Sequence, residues 1–69
     1  MQVEDRVEDR VIGGLLLKPR KATAETLGKS EKTLVRWELD GSGPKVTRIG
    51  RDVYYAVPDL EKWVRSLSA

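Results

Sequence analysis

With 69 residues, 39% of them hydrophobic and 35% charged, the chain has material for one modest core and none for a second domain. Cysteine and histidine are both absent, which excludes disulfides, thiolate nucleophiles, imidazole bases and nearly all zinc ligation, so neither a metal nor a cofactor is expected. The net charge of +2 is unevenly divided: residues 1–12 hold four acids and two arginines, whereas residues 18–52 hold nine basic residues against five acidic ones, placing a footprint for a polyanion in the middle of the chain.

The sequence Val-Glu-Asp-Arg occurs at residues 3–6 and again at 7–10, followed by Val11, so Val3, Val7 and Val11 stand four apart and make one helical stripe if the segment is ordered. Valine is a mediocre helix former, no strong cap precedes it, and Gly13-Gly14 closes the segment, which argues equally for a disordered tail. Residues 1–14 are therefore set apart as an acidic N-terminal segment, a short helix or disordered, from a domain over residues 15–69. The apolar run at residues 11–17 falls far short of the ~20 residues a membrane span needs and has the wrong flanks for a signal peptide. A cytoplasmic protein without a membrane partner is expected, and the lack of cysteine fits.

Residues 20–27 read as a short helix with Ala24 and Leu27 inward and Gly28 ending it. Ser30 caps a second helix over residues 31–39, with Glu31 in the first turn, and Asp40-Gly41-Ser42-Gly43-Pro44 stops it. From residue 45 to 56 the pattern alternates around Gly50-Arg51-Asp52, the signature of a hairpin. A three-residue loop pairs Ile49 with Val53 and puts Thr47 and Tyr55 on an apolar face, Arg48 and Tyr54 on a face suited to phosphate and base contact; a loop one residue shorter scrambles this assignment. Pro58-Asp59 opens a last helix whose Leu60, Trp63, Val64 and Leu67 form a core-facing stripe, with Trp63 structural.

Two helices joined by about three residues, the second short, capped and basic on one face, form the helix-turn-helix arrangement. At ~100° per residue, Lys32 and Arg36 fall almost opposite Leu34, flanked by Thr33 and Val35. Leu34 and Trp37 then dock on Ala24 and Leu27, while Arg36 and Lys32 reach guanine edges or phosphates in a major groove. Ser30 and Thr33, near the helix N-terminus, suit phosphate. Arg48 and Arg51 form a second basic feature on the hairpin, whose tip suits a narrow minor groove. The candidate DNA-contacting residues are Arg20, Lys29, Ser30, Lys32, Thr33, Arg36, Arg48, Arg51 and Tyr54. Glu25, Glu31 and Glu38 read as helix-surface charges, and no carboxylate pair, phosphate loop or metal cluster is recognisable, so an enzyme is not expected.

Three blocks occur in order: Leu27-Gly28-Lys29-Ser30-Glu31-Lys32-Thr33-Leu34-Val35-Arg36-Trp37, then Arg48-Ile49-Gly50-Arg51, then Tyr55 and Asp59-Leu60-Glu61-Lys62-Trp63-Val64. Together they resemble the MerR-like winged-helix domains of phage and plasmid excisionases, the recombination directionality factors, over residues 16–67. The resemblance implies an α+β fold, a small winged helix-turn-helix of two short helices, a β-hairpin wing and a C-terminal packing helix. It implies DNA contact by Ser30, Lys32, Thr33 and Arg36 from the second helix and by Arg48 and Arg51 from the wing, with Ile49, Val53, Tyr55, Leu60 and Trp63 in the core. Asp52, an acid at a wing tip that is often basic, and the acidic segment before Ile12 depart from the pattern. The function implied is architectural: several copies bind attachment-site repeats in double-stranded DNA cooperatively, bend the duplex and direct a separate integrase towards excision. The alternatives are a small prophage-type transcription regulator, activator or repressor, with the same fold, and a protein-interaction adaptor using the Val3-Val7-Val11 stripe or an exposed groove. Effector sensing is not expected, because only Ser66-Leu67-Ser68-Ala69 follow where a full MerR-type regulator has a long dimerisation helix.

Overall fold

In a computed structural model, which describes residues 8–68, the first element is a hairpin rather than a helix. Strands β1 (Arg10–Ile12) and β2 (Leu15–Pro19) pair antiparallel, with Val11 opposite Leu16 and Ile12 opposite Leu15. Gly13 and Gly14 make the two-residue turn, both at positive φ (57° and 83°), where glycine is free of the Cβ clash that other residues meet. The glycine pair is thus a turn between β-branched and leucine runs, not a helix stop, and the division expected after residue 14 falls inside this hairpin. Val3 and Val7 lie outside the described residues.

Helix α1 (Arg20–Leu27) follows β2 without a linker. Pro19 offers no side-chain cap, but Thr23, fully buried, donates its hydroxyl to the Pro19 carbonyl at 3.0 Å. Gly28 ends α1 in the left-handed conformation, and the Lys29 N–H closes back on the Ala24 carbonyl at 2.9 Å. Three residues separate α1 from helix α2 (Glu31–Asp40), and the Ser30 hydroxyl accepts from the Thr33 N–H at 3.1 Å, the expected N-cap. Strands β3 (Thr47–Ile49) and β4 (Asp52–Ala56) form the second hairpin, and β4 runs directly into α3 (Val57–Leu67), with Pro58 in the first turn. The sheet order is β1-β2-β4-β3, antiparallel throughout, so the described residues form a small α+β domain of three helices and a four-stranded sheet.

The second hairpin turns on two residues, Gly50 and Arg51, so Ile49 faces Asp52, Arg48 faces Val53 and Thr47 faces Tyr54. Only Gly50 needs a positive φ, and Asp52 is taken into the strand. A slip of one residue exchanges the faces. Arg48 therefore shares a face with Val53 and Tyr55, while Tyr54 lies with Thr47 and Ile49, the reverse of the three-residue-loop register.

Both faces of β4 are covered. Tyr55 packs with Ala24 and Leu34, with Leu27, Trp37, Val46 and Val53 around them, while Tyr54 packs with Leu17 and Ala56 in a separate cluster. Strand alternation sends the adjacent tyrosines to opposite sides. Ile49, expected in the core, is exposed at the hairpin tip. On α3, Leu60 is buried and Trp63 half-buried, but Val64 is exposed and Leu67 is 65% exposed. Among the described elements only β2 and β4 approach the α3 backbone, and the apolar side chains of its last turn are left largely uncovered.

Trp37 and Trp63 meet with ring centroids 5.4 Å apart and planes inclined at 44°. The Trp63 indole N–H donates to the Ser42 carbonyl at 3.1 Å, fixing the loop after α2. That loop passes so close to Trp37 that a Cβ on Gly43 would stand 2.8 Å from the Trp37 Cβ. Among the described residues no helix is long and apolar enough to cross a membrane.

Candidate nucleic-acid interface

The exposed surface of α2 is dictated by where Leu34 goes. Leu34 is 1% exposed against Ala24 and Tyr55, and Lys32 and Arg36 on the opposite side of the helix are both exposed. Lys29 and Ser30 are exposed in the connection between α1 and α2, and Thr33 is half-buried, its hydroxyl 3.0 Å from that of Ser30. Arg51 is exposed at the β3–β4 turn. Among the described residues Lys29, Lys32, Arg36 and Arg51 make no ion pair. Arg36 lies near enough to Asp40, one turn on, to help lower that carboxyl's pKa, though the Ser42 hydroxyl at 2.6 Å is the larger cause.

Three of the nominated residues are placed differently. Tyr54 is 2% exposed, with its hydroxyl accepting from the Arg10 Nε at 3.5 Å, so it belongs to the core and to the β1 contact rather than to a DNA-facing surface. The β3–β4 register puts Arg48 on the opposite face, and the pairing of β2 with β4 covers the Tyr54 face with Leu17. Arg20 has a side chain 13% exposed and donates its Nη2 to Glu38 Oε1 at 2.6 Å. Arg48 keeps a largely exposed side chain but donates its Nη2 to the other oxygen of the same carboxylate.

Glu38 is therefore not a solvated surface charge. It joins α1, α2 and β3 through one carboxylate, and its pKa lies below the ordinary value first because Arg20 donates to it, against the opposing effect of burial, with Arg48 adding to the same direction. The sequence held a signal for this: at ~100° per residue Glu38 falls about 40° from Leu34, on the inward side of α2, where an acid needs a partner. The same wheel turns Leu39 outward, and it is 82% exposed beside Arg36 and Val35. The Tyr55 hydroxyl is buried with no hydrogen-bond partner, and burial raises its pKa, with Arg20, Glu38 and Arg48 acting on it electrostatically.

Two open grooves of about 310 and 300 Å³ lie elsewhere, one beside Trp63, Lys45 and Lys62, the other between Leu27 of α1 and Leu60 and Val64 of α3. Neither is lined by a nominated residue. Among the described residues no group of three or more carboxylates comes together as a metal site. No protein-family model, curated protein or solved structure matches the chain.

Proposed function

We propose that the protein binds duplex DNA as a winged helix-turn-helix, with α1 and α2 as the helix pair, α2 in the major groove and the β3–β4 hairpin as the wing. The observation that carries this reading is the division of α2: Leu34 and Trp37 pack inward, while Lys32 and Arg36, opposite, are exposed and make no ion pair among the described residues. Lys29 and Ser30 lead into this helix at its capped N-terminus, where phosphate is favoured. Arg51 supplies a cation at the wing tip. The contact set is Lys29, Ser30, Lys32, Thr33, Arg36, Arg48 and Arg51; Arg20 supports it from beneath and Tyr54 has no part in it.

The order of the three sequence blocks that resembles excisionase domains extends the proposal to an architectural role. Bending a 20–30 base-pair site costs ~1–6 kcal/mol, more than one small module readily supplies, so several copies bind adjacent repeats and together curve the duplex for an integrase. A footprint across a candidate attachment region, with a circular-permutation assay for curvature, tests this. Phased protected sites that fill together and bend the DNA support the excisionase reading. One isolated protected site at a promoter, without curvature, replaces it with a transcription regulator, and no duplex binding at all removes both.

A further inference from the structure

Resting on the DNA-binding reading above, we infer that Glu38 is the positioning residue of the interface: its carboxylate ties Arg20 of α1 to Arg48 of β3 and so holds the wing at a fixed setting against α2, leaving the outer donors of Arg48 for a phosphate. Three observations lead there. Leu34 and Trp37 of α2 pack in one cluster with Tyr55 and Val53 of β4, but the α2 backbone approaches neither β3 nor β4, and among the described residues Glu38–Arg48 is the only hydrogen bond between α2 and the wing. The bridge is graded from inside to outside, with side-chain exposure of 13% at Arg20, 22% at Glu38 and 58% at Arg48. The inner arginine anchors the carboxylate, and the carboxylate orients the outer one. Each guanidinium has five N–H donors and here gives only its Nη2 to Glu38, so Arg48 retains donors for DNA. The bridge also remains cationic, two guanidiniums on one carboxylate, and all three charges act electrostatically on the buried Tyr55.

The sign of one substitution separates this role from its opposite. An acid beside a DNA-binding surface ordinarily repels phosphate, so Glu38→Gln tightens binding if repulsion is all Glu38 contributes. If Glu38 positions Arg48, the same change weakens binding although it adds positive charge.

The experiment is duplex binding across a salt series for wild type, Glu38→Gln, Glu38→Asp, Arg48→Ala and Glu38→Gln/Arg48→Ala, each with a melting curve. Glu38→Asp keeps the charge and loses the reach, so it serves if the glutamine variant does not fold. The expected result is a loss of roughly tenfold to a hundredfold in affinity for both single Glu38 variants, the size of one charge-assisted contact. The slope of log affinity against log salt should be shallower by about 0.9, one phosphate, and the double variant no weaker than Arg48→Ala. A purely structural role lowers the melting temperature and leaves the slope of the folded protein unchanged. Wild-type affinity or tighter binding in the Glu38 variants, with Arg48→Ala weakened, overturns the inference and leaves the DNA-binding reading standing. Wild type that shows no salt-sensitive binding overturns that reading, and the inference with it.

Discussion

Replacing Tyr55 with phenylalanine should make the protein more stable. Tyr55 is 1% exposed and packs its ring on Ala24 and Leu34, and phenylalanine keeps all of that contact. What it removes is a hydroxyl that is buried without a hydrogen-bond partner. Burying such a group unsatisfied costs roughly 1–3 kcal/mol, so the expected gain is about 1 kcal/mol or more. In a domain of this size that is a rise of roughly 4–8 °C in melting temperature. The effect has a pH signature. Burial raises the Tyr55 pKa above its ordinary 10.0, so the folded state favours the neutral phenol. Its contribution is intact below the pKa of the unfolded chain and is lost as pH rises through the higher folded value. Phenylalanine cannot ionise, so its advantage over wild type should widen above pH ~10. Thermal unfolding followed by circular dichroism, at neutral pH and in an alkaline series, measures both. A fall of several degrees at neutral pH would mean that the hydroxyl is well bonded and that the Tyr55 surroundings described above are wrong.

Three further outcomes follow from the packing. Gly43→Ala must push the loop off Trp37 and strain the Trp63–Ser42 hydrogen bond, with an expected loss of roughly 1–3 kcal/mol and altered tryptophan fluorescence; an unchanged melting temperature would contradict the close approach. Glu38, whose pKa is depressed in the folded state, contributes stability above the unfolded carboxyl pKa, 4.5, that is lost as pH falls through the lower folded value, so Glu38→Gln should flatten the acid side of the stability profile. An equally steep acid decline in the variant would argue against the bridge. A chain lacking residues 1–12 loses β1 and the Arg10–Tyr54 hydrogen bond and should melt lower than the full chain, whereas equal melting would contradict the first hairpin.

Much of the helical frame was legible because its signals are local. Gly28 and Ser30 mark the end of α1 and the start of α2 through positions that favour a left-handed residue and a side-chain cap, and both function as such. The exposed setting of Lys32 and Arg36 follows from the burial of Leu34 on the same helix. Features that depend on two segments meeting are not local in this way. Val3, Val7 and Val11 have helical spacing, yet Val11 also belongs to a Val-Ile-Gly-Gly-Leu run whose glycines turn a hairpin, and periodicity over so few residues does not decide between them. One residue of loop length decides whether Arg48 or Thr47 shares the face of Tyr55, and Gly50-Arg51-Asp52 is compatible with either choice. The pairing of Glu38 is not local: its partners, Arg20 and Arg48, are 18 and 10 residues away along the chain. The spacing on α3 predicts a wholly inward stripe, but amphipathicity says which face is apolar, not whether anything covers its end, and Val64 and Leu67 are exposed.

The salt dependence of duplex binding by wild type and by the Lys32→Ala/Arg36→Ala variant bears most directly on the account. If Lys29, Lys32, Arg36, Arg48 and Arg51 each neutralise a phosphate, log affinity should fall with log salt at a slope of about −4.5 in wild type and about −2.7 in the variant, with both proteins folded. Binding that is insensitive to salt, or the same slope in the two proteins, would contradict a DNA-binding role for the exposed face of α2.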